Sequence, residues 1–255
     1  MKKNSRKIVA IGGGEIGRPG YPIETTQIDK EIIKLTGKKH PRVLFIPTAS
    51  SDSQGYFETV KKHFGKRLGC KVDALWLIDN VQTKKAIRDK ILSADIVYVG
   101  GGNTEKMMRL WKKFSVDKSL TQAHKQGVVL SGLSAGSICW FWGGMSDSRK
   151  MIDKTADYIK VRGLSLIPAW HAPHYDVEKD RRPSIKRFMK KNSGVTIAMD
   201  NCCAIEFVDD TYRVITSKKT SNAYRIFFAK GKFYEIRIPK SKSYRPTAEL
   251  LANTF

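Results

Sequence analysis

The chain has 255 residues, with 47 Lys and Arg against 24 Asp and Glu and a formal net charge of +23. That length suits one large α/β domain with a substantial core. Cys70, Cys139, Cys202 and Cys203 show neither C-x-x-C spacing nor a regular framework, which argues against structural zinc and fits a reducing compartment, the cytoplasm by default.

The apolar run 8–11 follows Lys2, Lys3, Arg6 and Lys7 but is cut by Gly12-Gly13-Gly14, too early for a signal-peptide core. It reads as a first strand. No window reaches membrane-spanning length, so the expectation is a soluble protein with no membrane partner. Gly12-Gly13-Gly14-Glu15-Ile16-Gly17 satisfies G-x-G-x-x-G, but Pro19, Gly20 and Pro22 interrupt the helix that a pyrophosphate site requires there. The second strand ends in Pro47-Thr48-Ala49-Ser50, with no acidic residue to hold a ribose, and nucleotide binding is disfavoured.

Further along, apolar spacing predicts helices over 26–35, 54–64, 84–92, 104–114 and 119–124. They alternate with strand-like runs at 42–47, 71–77, 96–99 and 127–131, the mark of β-α-β units and a mostly parallel sheet. The second half changes character. Runs at 195–199, 204–208, 212–216, 224–229 and 232–238 are joined by short turns and predict antiparallel pairing. No linker, repeat or low-complexity segment divides the chain, which reads as a single α/β domain over 1–255. The basic residues recur at intervals (Lys38-Lys39, 61–67, Lys112-Lys113, 186–191, 240–242) and form no single arm or nucleic-acid module, so a lysine-rich solvated surface is preferred to nucleic-acid binding.

Chemistry concentrates at Gly132-Leu133-Ser134-Ala135-Gly136, a G-x-S-x-G pattern after the apolar run Val128-Val129-Leu130. Such a strand-to-helix elbow exposes one hydroxyl and needs small neighbours because the turn is tight. Gly100-Gly101-Gly102-Asn103 follows the strand 96–99 and opens a helix, so its amides project at a strand's carboxyl end, where α/β sheets bind ligands. Together with Ser134, the loop is an oxyanion-hole candidate.

A serine needs a base. Of five histidines, His40 and His63 lie among lysines and His124 closes a helix, so these three read as exposed, leaving His171 and His174 in a proline-punctuated rim loop. Asp147, following a helix expected to start at Ala135, is the leading orienting acid, with Asp153 and Asp176 as competitors.

These motifs resemble a family. Val99-Gly100-Gly101-Gly102-Asn103-Thr104, Gly132-Leu133-Ser134-Ala135-Gly136-Ser137 and Pro173-His174-Tyr175, in this order, are similar to those of the peptidase E-like serine peptidases of family S51, which include aspartyl dipeptidase and cyanophycinase. Ile46-Pro47-Thr48-Ala49 and Ala204-Ile205-Glu206 extend the likeness over roughly residues 5–240. The resemblance implies a mostly parallel sheet flanked by helices, like that of class I glutamine amidotransferases. It implies Ser134 as nucleophile and His174, followed by aromatic Tyr175, as general base. Asp147 would fill the acidic role, and the Ala135 amide with that of Gly101 or Gly102 would form the oxyanion hole.

The reaction then needs no metal or organic cofactor. Its substrate would be a short, acidic peptide with aspartate at the scissile position, for which Arg18, Arg149 and Arg181 are candidate cations. Cys139 lies outside the elbow, which disfavours an amidotransferase. The rivals are an α/β-hydrolase-type esterase, disfavoured because no histidine follows His174, and a non-catalytic basic nucleic-acid-binding protein. The sequence leaves the oligomeric state open, a homodimer included.

Overall fold

Five short apolar strands, β1 (Lys7–Ile11), β2 (Arg42–Ile46), β3 (Lys71–Ala74), β4 (Ile96–Val99) and β5 (Val129–Leu133), run parallel in the order β3-β2-β4-β5-β1. The computed structural model describes residues 5–78 and 82–254; Lys2 and Lys3 lie outside them. Because successive side chains on a strand point to opposite faces, each strand feeds two cores. Ile8, Leu44, Val97 and Leu130 enter one, and Val9, Phe45, Tyr98 and Val129 the other. That two-sided burial is why these strands read as continuous apolar runs.

The second core is covered by α1 (Thr26–Lys34) and α2 (Gln54–Val60), with Ile28, Ile32 and Val60 buried against the sheet. The first is covered by α3 (Lys84–Leu92), α4 (Thr104–Phe114) and α5 (Val116–Lys125), through Ile87, Ile91, Met107, Trp111 and Leu120. A one-turn helix, α6 (Ala135–Ile138), follows β5, and α7 (Arg181–Lys191) and α8 (Thr247–Leu251) complete the α-helices among the described residues. None is long and apolar enough to cross a membrane.

The remaining strands are β6 (Phe141–Ser146), β7 (Ile159–Arg162), β8 (Ile167–Ala172), β9 (Thr196–Met199), β10 (Cys203–Val208), β11 (Thr211–Thr216), β12 (Ala223–Ala229), β13 (Lys232–Ile238) and β14 (Arg245–Pro246). Strands β10, β11 and β14 extend the first sheet antiparallel from β1, while the others form a second sheet ordered β13-β12-β9-β8-β6-β7. Within it β6, β8 and β9 are parallel. Phe141, Ala169, Ile197 and Phe227 join the first core, so this sheet packs beside α3–α5 on the same side of β1–β5. The fold is therefore α/β with mixed sheets.

Several sequence-based bounds move for physical reasons. Strand β5 begins at Val129 rather than 127, because the amides of Gly127 and Val128 still close the end of α5 on His124 and Ala123. Strand β3 stops at Ala74 because Leu77 and Ile78 turn their amides onto the Asp52 carboxylate. Helix α2 ends at Val60, and the chain continues as a π-helical segment over Lys61–Arg67. The largest correction concerns 135–172. The expected helix from Ala135 is one turn long, and the segment holding His171 is strand β8 rather than a rim loop. Pro168 hides that strand, but it sits where the pairing with β6 slips between Phe141 and Gly143, a place that needs no ladder donor.

Candidate active site

Five strands, three from one sheet and two from the other, deliver their carboxyl ends to one rim. From the first sheet come Gly12 after β1, Gly100 after β4 and Ser134 after β5; from the second come His174 after β8 and Asn201 after β9. Ser134 adopts φ 55° and ψ −116°, a conformation that costs a non-glycine residue about 1–3 kcal/mol. The fold holds it there: its amide donates to Ile11 O, and its carbonyl accepts from Ser137 and Ile138. Gly136 allows α6 to lie against β4, since a Cβ added there would stand 2.2 Å from Val99 O. Half-buried Ser134 faces a cavity of about 590 Å³, also lined by His174, Asn201, Gly101, Tyr56 and Arg18.

His174 sits at φ 53°, its amide donating to Gly12 O. Its Nδ1 lies 2.7 Å from Asn201 Oδ1, and the Asn201 amide donates to Asp176 Oδ1 at 2.9 Å. An amide oxygen only accepts, so Nδ1 carries the hydrogen and Nε2 is left as a bare acceptor. The first glycine loop backs this pair. A Cβ at Gly13 would fall 2.1 Å from Asn201 Oδ1 and 2.4 Å from His174 Nδ1, which explains glycine at that position without invoking a nucleotide.

The side chain that the structure places on His174 Nδ1 is thus an asparagine, and Asp147 is not brought to that ring. With α6 only one turn long, the chain re-enters as β6 and carries Asp147 toward the start of α4. There its neighbours Ser146 and Ser148 bind Thr104 Oγ1 and the Glu105 amide, and Ser148 O accepts from Asn103 Nδ2. Asp147 makes no side-chain bond to His174 among the described residues. Asp153 caps an exposed turn through Thr155, and Asp176 acts one residue behind, on the Asn201 backbone. Sequence reasoning searched acids and passed over Asn201; its position at the end of the expected strand 195–199, on the same rim as the other loops, was the available signal.

His171 has a different place. It is 0% exposed, with Nδ1 2.8 Å from Ile197 O and Nε2 2.8 Å from Ser137 Oγ, stacked on Phe141. The carbonyl fixes the hydrogen on Nδ1, so Nε2 is an acceptor, and the one hydrogen of the Ser137 hydroxyl beneath the elbow is shared between Nε2 and Ser134 O, each 2.8 Å away. Burial pushes its pKa down to about 3, and His124, buried rather than exposed as expected, down to about 4. His63 is also inside, 1% exposed and 2.8 Å from the buried Asp29 carboxylate.

A histidine whose folded pKa lies below the unfolded value takes up its proton more readily when unfolded. Stability is then complete above the unfolded pKa of about 6.5 and is lost as pH falls through 6.5 toward the folded values. Melting temperature is expected to fall steadily between about pH 7 and pH 4.5, with a shallower slope in His171→Gln; a flat profile would contradict the buried neutral assignment.

The loop after β4 lies against the serine. A Cβ at Gly101 would stand 3.3 Å from Ser134 Cβ. Asn103 locks the loop: Oδ1 caps α4 on Lys106 N, and its amide donates to Ala49 O. The amides of Ala135 and Gly102 have no acceptor among the described residues, and that of Gly101 makes a long contact of 3.4 Å to Tyr56 Oη.

A strained serine and an imidazole held by Asn201 thus open onto one cavity at the rim of an α/β fold. The chain matches the family model described as Peptidase family S51 over residues 8–215, and it belongs to that family of peptidases. It is 33% identical to the uncharacterized peptidase YgaJ of Bacillus subtilis (strain 168) over 240 residues, 92% of this chain and 97% of that one. It is also 29% identical to peptidase E of Nostoc sp. (strain PCC 7120 / SAG 25.82 / UTEX 2576) over 149 residues, 57% of each chain. Among solved structures, a peptidase from an acI-B1 Actinobacterium superposes with a TM-score of 0.70 at 17% identity, over 96% of this chain and 98% of that one, a likeness of fold.

Proposed function

We propose that this chain is a serine-type peptidase that hydrolyses short peptides through an acyl-enzyme on Ser134. The observation that carries the reading is the strained serine opening onto the same cavity as an imidazole whose far nitrogen is held by Asn201. Ser134 Oγ attacks the scissile carbonyl carbon while His174 Nε2 takes its proton and passes it to the leaving amine. Water, deprotonated by the same nitrogen, then cleaves the ester and releases the acid. Asn201 holds the ring in the productive tautomer, the role asparagine fills in Cys-His-Asn peptidases. The Gly101 or Gly102 amide and the Ala135 amide would receive the oxyanion.

Aspartate at the scissile position is the finer reading, and it requires a cation in the cavity. Arg181 is 1% exposed and engaged by Met145 O and Glu178, and Arg149 lies on an exposed turn. Arg18 lines the cavity but is bound twice by Glu15, so a substrate carboxylate would have to take the place of that partner. A dipeptide panel tests this. Asp-X peptides are expected to be cleaved best, with Arg18→Ala lowering their kcat/KM about 10- to 100-fold and sparing neutral peptides. A wild type that cleaves neutral peptides as well as Asp-X removes the aspartate preference and leaves the serine mechanism standing.

A further inference from the structure

Tyr56 stands at the serine end of the cavity and none of the steps above uses it. Helix α2 presents it, with its amide on the capping Ser53 Oγ at 3.2 Å. Its ring is wedged between Phe45, edge to face at 5.0 Å, and Gly100, where a Cβ would meet Tyr56 Cε1 at 2.9 Å. The hydroxyl oxygen accepts from the Gly101 amide, in the loop that lies against Ser134. A phenol has one hydrogen to donate, and among the described residues nothing accepts it.

From this geometry we propose that the Tyr56 hydroxyl is a catalytic hydrogen-bond donor, meeting the substrate oxygen that becomes the oxyanion when Ser134 attacks. In the free enzyme its oxygen sits on the Gly101 amide as a stand-in for that oxyanion. When the carbonyl oxygen arrives, the amide turns to it and the phenol hydrogen joins from the other side. The proton remains on Tyr56 throughout. Burial pushes the phenol up to about 12, so it stays undissociated across the working range of an imidazole base. A ring fixed by Phe45 and Gly100 supplies this donor already oriented, the condition under which such groups stabilise developing charge.

The inference rests on the Ser134 acyl-enzyme reading, and its test separates the two. Wild type, Ser134→Ala and Tyr56→Phe are compared on one peptide for kcat and KM, and by affinity for a peptide boronate that forms a tetrahedral adduct on serine. Tyr56→Phe keeps the ring and is expected to lower kcat about 100-fold, with KM nearly unchanged and boronate affinity reduced in parallel. Placing 3,5-difluorotyrosine at position 56 keeps the hydroxyl but makes it more acidic, and should bring an alkaline loss of kcat into range that wild type lacks. That readout would not follow from packing alone. Ser134-dependent turnover in which Tyr56→Phe changes kcat less than about twofold, or raises only KM, overturns this inference alone. Turnover that survives Ser134→Ala overturns the parent reading and this one with it.

Discussion

Ser134→Ala is expected to lower kcat about 10⁴- to 10⁶-fold, the scale on which loss of a serine nucleophile acts when binding and oxyanion donors remain. Stability should hardly move. The Ser134 side chain makes no hydrogen bond to another described residue, and alanine inherits the same backbone angles, so the change should stay within about 0.5 kcal/mol. Glycine separates the two properties. At φ 55° and ψ −116° it carries no steric penalty, so Ser134→Gly should be as inactive as the alanine variant yet more stable, by about 1 kcal/mol after its own entropic cost is subtracted. Thermal melts beside steady-state kinetics check both halves. A glycine variant less stable than wild type would mean that the elbow is relaxed rather than strained.

The second large effect belongs to the imidazole. His174→Ala removes the bare Nε2 and should cost nearly as much as loss of the serine, about 10⁴-fold or more in kcat. Asn201→Ala leaves that nitrogen but frees the ring and its tautomer, for a smaller loss on the order of 10²-fold; Asn201→Asp should restore much of it. His171→Ala acts elsewhere. It takes a partner from Ile197 O and from Ser137 Oγ, which keeps its bond to Ser134 O, and opens a cavity beside Phe141, so it should appear as about 2–4 kcal/mol of lost stability rather than a comparable loss of kcat in folded protein. Activity ranked the other way, with His171→Ala the more damaging in folded enzyme, would move the base from one histidine to the other.

Much of the rim was legible because it is built from local signals. An apolar run ending in Gly-x-Ser-x-Gly, and another ending in three glycines and an N-capping asparagine, each state in sequence that a strand stops and a helix starts, and Ser134 and Gly101 stand where those signals put them. The strand-helix alternation up to Lys125 follows for the same reason.

What escaped depends on distant contacts. Asn201 becomes the partner of His174 only because β8 and β9 lie side by side, a pairing that strand-like composition does not specify. Strands β6 to β8 were obscured by a glycine pair, a proline and a register slip, features that elsewhere mark loops. His63 looked exposed among lysines, yet the π-helical turn brings it inside to Asp29. The acid was sought by chemistry close in sequence, and the structure supplied an amide from 27 residues beyond the base.

The central claim is that one oxygen, Ser134 Oγ, becomes acylated during turnover. Intact mass followed by peptide mapping after treatment with a fluorophosphonate tests it most directly. A single adduct on the peptide carrying Ser134, formed in step with loss of peptidase activity and absent from Ser134→Ala, is the predicted result. Peptide hydrolysis that continues with Ser134 fully modified, or an adduct that maps to another residue, would contradict it.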